Sequence, residues 1–211
     1  ASDPSTLPPV LIDTILHKGC KMILSGSSKA GKTLALMHLG LAAANGLSWM
    51  GHKINQECKV VYLDFELVPR LAKERIKEVI NHPDNNYSPT TNYRYCGLRG
   101  QNRSLDELAL HIQNIKDFDP DLVIVDPFYK LGGEYDENDD GSVSAVLNKM
   151  ERFSEQLGCA FVYAHHFSKG NKSETDHIDR ASGSGVFARD PDAILTLTPV
   201  SYTHLRAHET L

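Results

Sequence analysis

Eight consecutive residues have the types and the spacing of a loop that binds phosphate. Residues 26–33 read GSSKAGKT and fit the pattern G-x-x-x-x-G-K-[ST] of the Walker A loop. Gly26 and Gly31 would let the backbone curl so that amide N–H groups point at phosphate oxygens. We expect Lys32 to contact the β- and γ-phosphates and the Thr33 hydroxyl to ligate Mg²⁺. The other loop residues, which would line the same site, are Ser27, Ser28, Lys29 and Ala30.

A second candidate lies at the end of an apolar run. Residues 121–126 read DLVIVD, as in a Walker B strand, and Asp126 would hold the Mg²⁺ shell through water. Alone the motif is weak, because many strands end in an aspartate that belongs to a turn. In a chain that also carries a Walker A loop, it predicts the metal aspartate.

Hydrolysis also needs a group that orients or deprotonates the attacking water. Pro127 occupies the position directly after Asp126, so this group must come from another segment. Residues 61–66 read VYLDFE and place Glu66 at the carboxyl end of a strand, the edge that faces the ligand crevice in parallel sheets. We expect Glu66 to be catalytic, with Asp64 as the second candidate. The alternative is that Glu66 caps the helix that follows.

Two histidines end another apolar run, in which residues 161–166 read FVYAHH. Adjacent residues of a strand point to opposite sides, so this pair is a poor metal site. A polar residue at this strand end can instead sense the γ-phosphate and pass its presence to the next loop. We prefer His166 for this role. The alternative for either histidine is packing or capping.

The elements that must position these residues alternate between strands and helices. Runs such as VVYL and LVIV are apolar on both faces, which predicts a parallel sheet covered by helices on both sides. Residues 1–20 contain three prolines and predict only a segment that leads into the domain. The predicted strands are 21–25, 60–65, 93–96, 122–125, 160–164 and 193–197, and the predicted helices are 31–45, 69–81, 104–116 and 142–157, with a polar loop over 168–184.

The composition of the 211 residues, 41% hydrophobic and 23% charged, excludes intrinsic disorder and fibrous structure. A net charge of −5 supplies no general attraction to nucleic acid, so such binding needs a local patch. Four widely spaced cysteines without a CxxC pair predict neither a zinc site nor a disulfide framework, and favour a reducing cytoplasm. The apolar runs are far shorter than the roughly 20 residues that span a membrane, so we expect no membrane partner.

Both ends of the sequence look unnatural. The chain starts at Ala1 rather than Met, as in a fragment or a processed chain. Residues 200–210 read VSYTHLRAHET and are similar to one reading frame of a widely used transposase sequencing adapter. The alternative is a genuine polar segment. We expect one domain over residues 1–199, truncated at its C-terminus, and a non-native tail over residues 200–211.

The motifs stand in the order GSSKAGKT, YLDFEL, LVIVDPF, EYDENDD, AHHFSKG and RASGSGVFARDPDAILTL. This set resembles the RecA-like P-loop ATPases of the plasmid RepA type, a family of hexameric replicative helicases, over about residues 16–199. The resemblance implies an α/β fold, a three-layer αβα RecA-like P-loop NTPase core with a mainly parallel sheet. It places the histidine strand between the Walker A and Walker B strands. It also implies ATP and Mg²⁺ as cofactors, a homo-oligomeric ring (a hexamer) with ATP between neighbours, and single-stranded DNA as a partner.

The resemblance also assigns roles to single residues. Five functional residues of the family have a counterpart in this chain. Lys32 matches the lysine, Thr33 the hydroxyl, Glu66 the catalytic glutamate, Asp126 the magnesium aspartate and His166 the phosphate sensor. The arginine that some members use to reach the neighbour's phosphate falls on Asp192. Arg180 or Arg189 would then serve instead, unless the arginine comes from further along the natural chain.

In that family, the loops after the Walker B strand and after the histidine strand face the DNA. The second of these loops is basic here, which suits phosphate contact; its cations are Lys169, Lys172 and Arg180. The first loop is acidic over residues 134–140, but Tyr129 and Lys130 precede this stretch and could reach a strand, with Tyr129 stacking on a base. The alternative for the acidic stretch is a solvated linker.

The function expected is Mg²⁺-dependent ATP hydrolysis that drives a DNA helicase motor in plasmid or phage replication. One alternative is a regulatory or recombination-type RecA-like ATPase that assembles on DNA without unwinding it. A small-molecule kinase is a third class. Glu66 and the histidine strand end count against a kinase, because they suit water activation and phosphate sensing.

Overall fold

The computed structural model describes residues 7–101, 118–131, 139–166 and 185–198. The helix predicted over 104–116, the loop predicted over 168–184 and the tail over 200–211 lie outside the described residues. In chain order the elements are β1 (Val10–Ile12), β2 (Leu16–His17), β3 (Lys21–Gly26), α1 (Lys32–Ala44), β4 (Val60–Asp64), α2 (Pro69–Asn81), β5 (Tyr93–Gly97), β6 (Leu122–Asp126), a 3₁₀ turn (Phe128–Lys130), α3 (Asp140–Leu157), β7 (Ala160–His166), a second 3₁₀ turn (Gly185–Ala188) and β8 (Ala193–Leu197).

Six of the described strands form one parallel sheet in the order β5-β4-β6-β7-β3-β8. Strand β7, which carries the histidines, lies between the Walker A strand β3 and the Walker B strand β6, so the predicted order is confirmed. The strands are in register at their carboxyl ends. Gly26 pairs with His166, and Asp64 pairs with Asp126. The predicted functional residues therefore meet along one edge of the sheet.

The sheet is buried on both faces because alternate residues of each strand enter different apolar clusters. On one face, side chains such as Leu24 and Tyr62 pack with α1 and the β1–β2 hairpin. On the other face, side chains such as Ile23 and Val123 pack with α3. Fully burying one large aliphatic side chain stabilises a fold by roughly 1.5–3 kcal/mol. These two clusters make the three-layer αβα arrangement, and the predicted fold class is confirmed.

The helix ends follow from local chemistry. Helix α2 begins with Pro69, a residue suited to the first turn because its missing N–H has no partner there anyway. Helix α3 starts at Asp140, two residues before its predicted start, because the Asp139 side chain accepts a hydrogen bond from Ser142 N. It stops at Gly158, which has a φ of 64°.

One element was not predicted. Residues 1–20 were predicted only to lead into the domain, but β1 and β2 form a small antiparallel hairpin. Its residues Leu11, Ile12 and Leu16 are buried in the cluster that contains α1. Thr14, in the turn, has a φ of 64° without being glycine, so the turn carries no glycine that would signal it in the sequence.

No helix in the described ranges combines the length and the apolar character needed to cross a membrane. The four cysteines are all free thiols, and Cys58 and Cys159 are buried.

Candidate active site

The Walker A loop connects the end of β3 to the start of α1, as the motif requires. Gly31 has a φ of 91° and Lys29 a φ of 65°, so the loop makes its tight turns in the left-handed region. Lys29 is exposed at the rim. Lys32 is the first residue of α1 and is only 5% exposed. Its Nζ donates hydrogen bonds to the carbonyl oxygens of Gly26 and Ser27, both at 2.8 Å.

Gly26 has a different role from the one expected. It was expected to let the loop curl, but its φ is not positive. Instead, β8 passes very close to it: a Cβ at Gly26 would lie 2.8 Å from the carbonyl oxygen of Leu197. The side chain is excluded because another strand occupies its space, and the turn itself depends on Gly31.

His166 lies directly against the Walker A lysine. Its Nδ1 is 3.1 Å from Lys32 Nζ, a contact that follows from the register of β7 with β3. The ring also faces Tyr129, at a centroid distance of 6.1 Å. His165 points the other way and is buried, with its ring stacked on Phe187 at 4.1 Å. The pair therefore divides between the two faces of the sheet, as expected for adjacent strand residues.

Asp126 ends β6 and is buried. Its Oδ2 accepts a hydrogen bond of 2.8 Å from the Tyr62 hydroxyl, and the Thr33 hydroxyl also hydrogen-bonds to the carboxylate. The pKa of Asp126 is raised from 3.8 to about 6, chiefly by burial and to a smaller extent by the charges of Asp64 and Glu66. The bonds from Tyr62 and Thr33 act in the opposite direction. The two predicted metal ligands, Thr33 and Asp126, are thus in contact.

Asp64, the second candidate for the catalytic carboxylate, has a structural environment. Its Oδ1 accepts hydrogen bonds from the backbone N–H groups of Glu66 and Leu67, both at 2.9 Å. Its Oδ2 accepts one from the Tyr95 hydroxyl at 2.9 Å. A buried carboxylate with both oxygens engaged holds the turn after β4 and is poorly placed to accept a proton from water.

Glu66 follows the same turn and is exposed at the edge of the sheet. The alternative that it caps α2 is wrong for the described structure, because the N-cap residue of α2 is Val68 and no side chain caps that helix end. Burial lowers the pKa of Lys32, while the charges of Asp126 and Glu66 act to raise it. Glu66 therefore lies within electrostatic reach of the Walker A lysine.

Arg189, the described one of the two arginine candidates, is not brought to the loop of its own chain. Arg189 is exposed and precedes β8, where Asp190 contacts Lys21 Nζ at 2.9 Å and Asp192 accepts a 2.7 Å hydrogen bond from Lys21 N. Lys21 begins β3, whereas the Walker A loop follows its other end, about 16 Å away. Asp192 thus has a structural role at the opposite edge of the sheet. Arg180 lies outside the described residues.

Of the predicted DNA contacts, only those after β6 are described. Pro127 follows Asp126 through a cis peptide bond, and the 3₁₀ turn then presents Tyr129, which is 40% exposed. Lys130 Nζ lies 5.1 Å from the centre of the Tyr129 ring. The remaining predicted positions, outside the described residues, are Lys169, Lys172 and the acidic stretch over residues 134–138.

Two tyrosines at the site were missed by the sequence analysis. Tyr62 and Tyr95 each donate a hydrogen bond to an aspartate at the edge of the sheet. Burial raises the pKa of both hydroxyls, so they stay protonated and act as donors. A tyrosine inside an apolar strand is the available signal, because its buried hydroxyl needs a partner.

The donor set suits a magnesium ion shared with phosphate. The described residues contain no cluster of three or more histidine, cysteine or acidic side chains that could hold a metal ion. Mg²⁺ beside a nucleotide needs no such cluster, because one or two protein oxygens, substrate phosphates and water complete its shell. Thr33 and Asp126 supply a hydroxyl and a carboxylate in contact with each other.

A parallel sheet with a Walker A loop, an adjacent aspartate and a histidine at neighbouring strand ends defines a RecA-like P-loop ATPase fold. The family model described as "AAA domain" matches residues 2–172. The chain therefore belongs to this AAA-domain ATPase family. A solved structure titled "ATPase Domain of G40P" has the same fold, with a TM-score of 0.63, 13% identity, and coverage of 86% of this chain and 70% of that one. No curated protein matches the chain.

Proposed function

We propose that this chain hydrolyses ATP with Mg²⁺, and that this hydrolysis drives a DNA helicase motor of the plasmid RepA type in plasmid or phage replication. The observation that carries the proposal is the convergence of Lys32, His166 and the Thr33–Asp126 pair at one edge of the sheet. Each of these groups suits a different part of a bound nucleoside triphosphate.

The proposed binding step uses groups that are already in place. The N–H groups of the loop and of the first turn of α1 receive the phosphates, helped by the positive end of the helix dipole. Lys32 exchanges its two carbonyl partners, Gly26 and Ser27, for β- and γ-phosphate oxygens. Thr33 and Asp126 would hold Mg²⁺, which supplies positive charge against the phosphate oxygens.

For hydrolysis, we assign to Glu66 the orientation of the attacking water and the acceptance of its proton. Its exposure lets it contact water, and its position after β4 directs it to the edge where the phosphates bind. We assign to His166 the sensing of the γ-phosphate, since any change in the partners of Lys32 also changes the contact of Lys32 with His166. Strand β7 would pass this change to the loop that follows it.

The proposed function also includes a homo-oligomeric ring of this chain and single-stranded DNA as its partner. In a hexameric ring, Arg189 could act only on a neighbour's nucleotide, because it lies at the sheet edge opposite its own loop. Arg180 is the other candidate for this role, which is stabilisation of transition-state charge in trans. For single-stranded DNA, Tyr129 offers a half-exposed aromatic face next to the cation Lys130.

ATP turnover and ATP binding, measured separately on four variants, test the chemistry. We expect Lys32→Ala to abolish ATP binding, whereas the exposed Lys73→Ala on α2 should leave it unchanged. We expect Glu66→Gln to bind ATP normally and to lose turnover by roughly 10²–10⁴-fold. The matched control is Glu78→Gln, an exposed change of the same kind. Normal turnover in Glu66→Gln would remove Glu66 from the mechanism.

Two further measurements separate the motor from the alternative. Turnover that rises with single-stranded DNA would support DNA as the partner. Strand separation of a forked duplex by the full protein would then distinguish a helicase from a regulatory or recombination-type ATPase that assembles on DNA without unwinding it. DNA-stimulated turnover without strand separation would favour that alternative.

A further inference from the structure

Strand β5 lies at one edge of the described sheet and carries none of the groups assigned above to phosphate, metal or water. It runs beside β4, with Tyr95 opposite Tyr62 and Gly97 opposite Asp64. The Tyr95 ring packs on the α1 side of the sheet, at 6.2 Å from the Tyr62 ring. The end of β5 therefore lies beside the turn that leads from β4 to Glu66.

The backbone of this turn is held from two sides. The carbonyl oxygen of Asp64 accepts a 2.6 Å hydrogen bond from Leu98 N, just after β5. Phe65 N donates a 2.9 Å hydrogen bond to the carbonyl oxygen of Asp126, at the end of β6. Glu66 is the first exposed residue after these contacts. The position of its carboxylate therefore depends on how firmly the backbone before it is fixed.

The side chain of Asp64 adds a restraint that acts directly on Glu66. Its Oδ1 accepts the N–H groups of Glu66 and Leu67, and its Oδ2 accepts the Tyr95 hydroxyl, all at 2.9 Å. The terminal torsion of an aspartate has only a broad preference of its own, so the bond from Tyr95 is what keeps Oδ1 aimed at the two N–H groups. Burial and the charge of Asp64 raise the pKa of Tyr95, so its hydroxyl stays protonated and remains a donor.

The end of β5 also limits the far side of the same segment. A Cβ at Gly97 would lie 3.0 Å from Pro69 Cγ and 3.2 Å from the Tyr95 hydroxyl oxygen. Pro69 is the first residue of α2, so the absence of a side chain at Gly97 lets this helix start against β5. Glu66 thus lies between two points of the chain, Asp64 and Pro69, that both contact the edge strand.

We propose that Tyr95 is a positioning residue for ATP hydrolysis: its hydroxyl orients Asp64, and Asp64 fixes the backbone from which Glu66 reaches the attacking water. The assignment rests on the proposed function, in particular on the role of Glu66. Catalytic groups must be held within about 0.5 Å of their productive position, and a displacement of about 1 Å can cost about a hundredfold in rate. Phosphate and Mg²⁺ binding are assigned to other residues, so Tyr95 acts on turnover and not on affinity.

Turnover at saturating MgATP and equilibrium binding of AMP-PNP with Mg²⁺, both measured on the full chain, test this assignment. We expect Tyr95→Phe to lower turnover about 10–100-fold and to leave the AMP-PNP affinity and its Mg²⁺ requirement unchanged. The matched control is Tyr93→Phe, on the same strand. The Tyr93 hydroxyl is buried and has no hydrogen-bond partner among the described residues, so its removal should change none of these quantities.

Two further variants separate positioning from a general loss of structure. In a Glu66→Gln background, Tyr95→Phe should cause no further loss, because the group that it positions is already inactive. Asp64→Asn keeps an oxygen for the two N–H groups and offers an NH₂ group to the Tyr95 hydroxyl, so it should retain most of the wild-type turnover. A loss in Asp64→Asn as large as that in Glu66→Gln would make Asp64 the catalytic carboxylate and overturn the assignment.

The outcomes for the positioning role and for the proposed function differ. Normal turnover in Tyr95→Phe, with Glu66→Gln inactive, would overturn the positioning role and leave the proposed function standing. A weaker AMP-PNP affinity in Tyr95→Phe, an additive loss in the double variant, or an equal loss in Tyr93→Phe would also overturn the positioning role. A wild-type protein without ATP turnover, or normal turnover in Glu66→Gln, would refute the proposed chemistry and the assignment with it.

Discussion

Replacing Asp126 with asparagine should stabilise the nucleotide-free protein at neutral pH, although it removes a residue assigned to function. The carboxylate is 2% exposed, and burial raises its pKa from 3.8 to about 6. Asparagine has the same shape and is never ionised. It can also keep a hydrogen bond from the Tyr62 hydroxyl, because its amide oxygen is an acceptor.

The size of the effect follows from the two pKa values. The folded state holds the proton of Asp126 more tightly than the unfolded chain does, so its stability falls as the pH rises through the window from about 4 to about 6. At about 1.4 kcal/mol per pH unit, the difference between the two pKa values corresponds to about 3 kcal/mol of folding stability. This stabilisation is present at low pH and is fully lost above pH 6. Asp126→Asn should therefore gain up to about 3 kcal/mol at pH 7.5 and less than about 1 kcal/mol at pH 4.

Urea denaturation at both pH values, with EDTA and without nucleotide, measures this difference. The buried Trp49 serves as the probe of unfolding. With a urea dependence of about 2 kcal/mol/M, the midpoint should rise by about 1.5 M at pH 7.5. Asp119→Asn is the control, since it makes the same change at an exposed residue whose φ of 54° asparagine also adopts. A gain that is equal at both pH values, or a loss of stability at pH 7.5, would refute the reasoning.

Two further predictions concern groups that the fold places around the phosphates. Tyr62→Phe removes the 2.8 Å hydrogen bond to Asp126, so the carboxylate loses a partner that fixes its orientation and favours its charge. This variant should need a several-fold higher Mg²⁺ concentration for ATP binding. An unchanged Mg²⁺ titration would contradict this prediction. Gly26→Ala should lower the free energy of unfolding by about 1–3 kcal/mol in the same urea assay, since the new Cβ meets the Leu197 carbonyl at 2.8 Å. An unchanged urea midpoint would contradict this prediction and show that β8 moves away freely.

The parallel sheet could be predicted from the sequence because its signals are local. Each strand is an apolar run bounded by polar residues, and buried parallel strands are apolar on both faces. The place of the histidine strand between the Walker A and Walker B strands was predicted from the resemblance of the motifs, and the position of β7 between β3 and β6 confirms it. The helix α2 matches its predicted range because a proline marks its start and its apolar residues recur at helical spacing.

What could not be predicted depends on contacts between distant segments. The β1–β2 hairpin is stabilised by burial of Leu11 and Leu16 against α1, and two or three residues per strand give no reliable pattern. The close approach of Leu197 to Gly26 spans 171 positions of the sequence. The burial of Trp49 likewise depends on how the segment after α1 folds back onto that helix, where Trp49 Nε1 donates a hydrogen bond to the Ala35 carbonyl.

The two aspartates at the sheet edge show how hydrogen bonding separates the roles of identical groups. Asp64 and Asp126 end neighbouring strands in the same register, and both are buried. Asp64 accepts hydrogen bonds from two backbone N–H groups and from the Tyr95 hydroxyl, so its charge is well compensated within the protein. Asp126 accepts bonds only from hydroxyl groups, those of Tyr62 and Thr33, among its described partners.

Burial of Asp126 with so few donors leaves its ionised form costly, as its raised pKa shows. A divalent cation at this carboxylate would offset that cost, because it supplies the compensating charge that the neighbouring hydroxyls do not. The same cation at Asp64 would have to displace partners that already satisfy both of its oxygens. The geometry therefore favours Asp126 as the metal ligand and leaves Asp64 to hold the turn that presents Glu66.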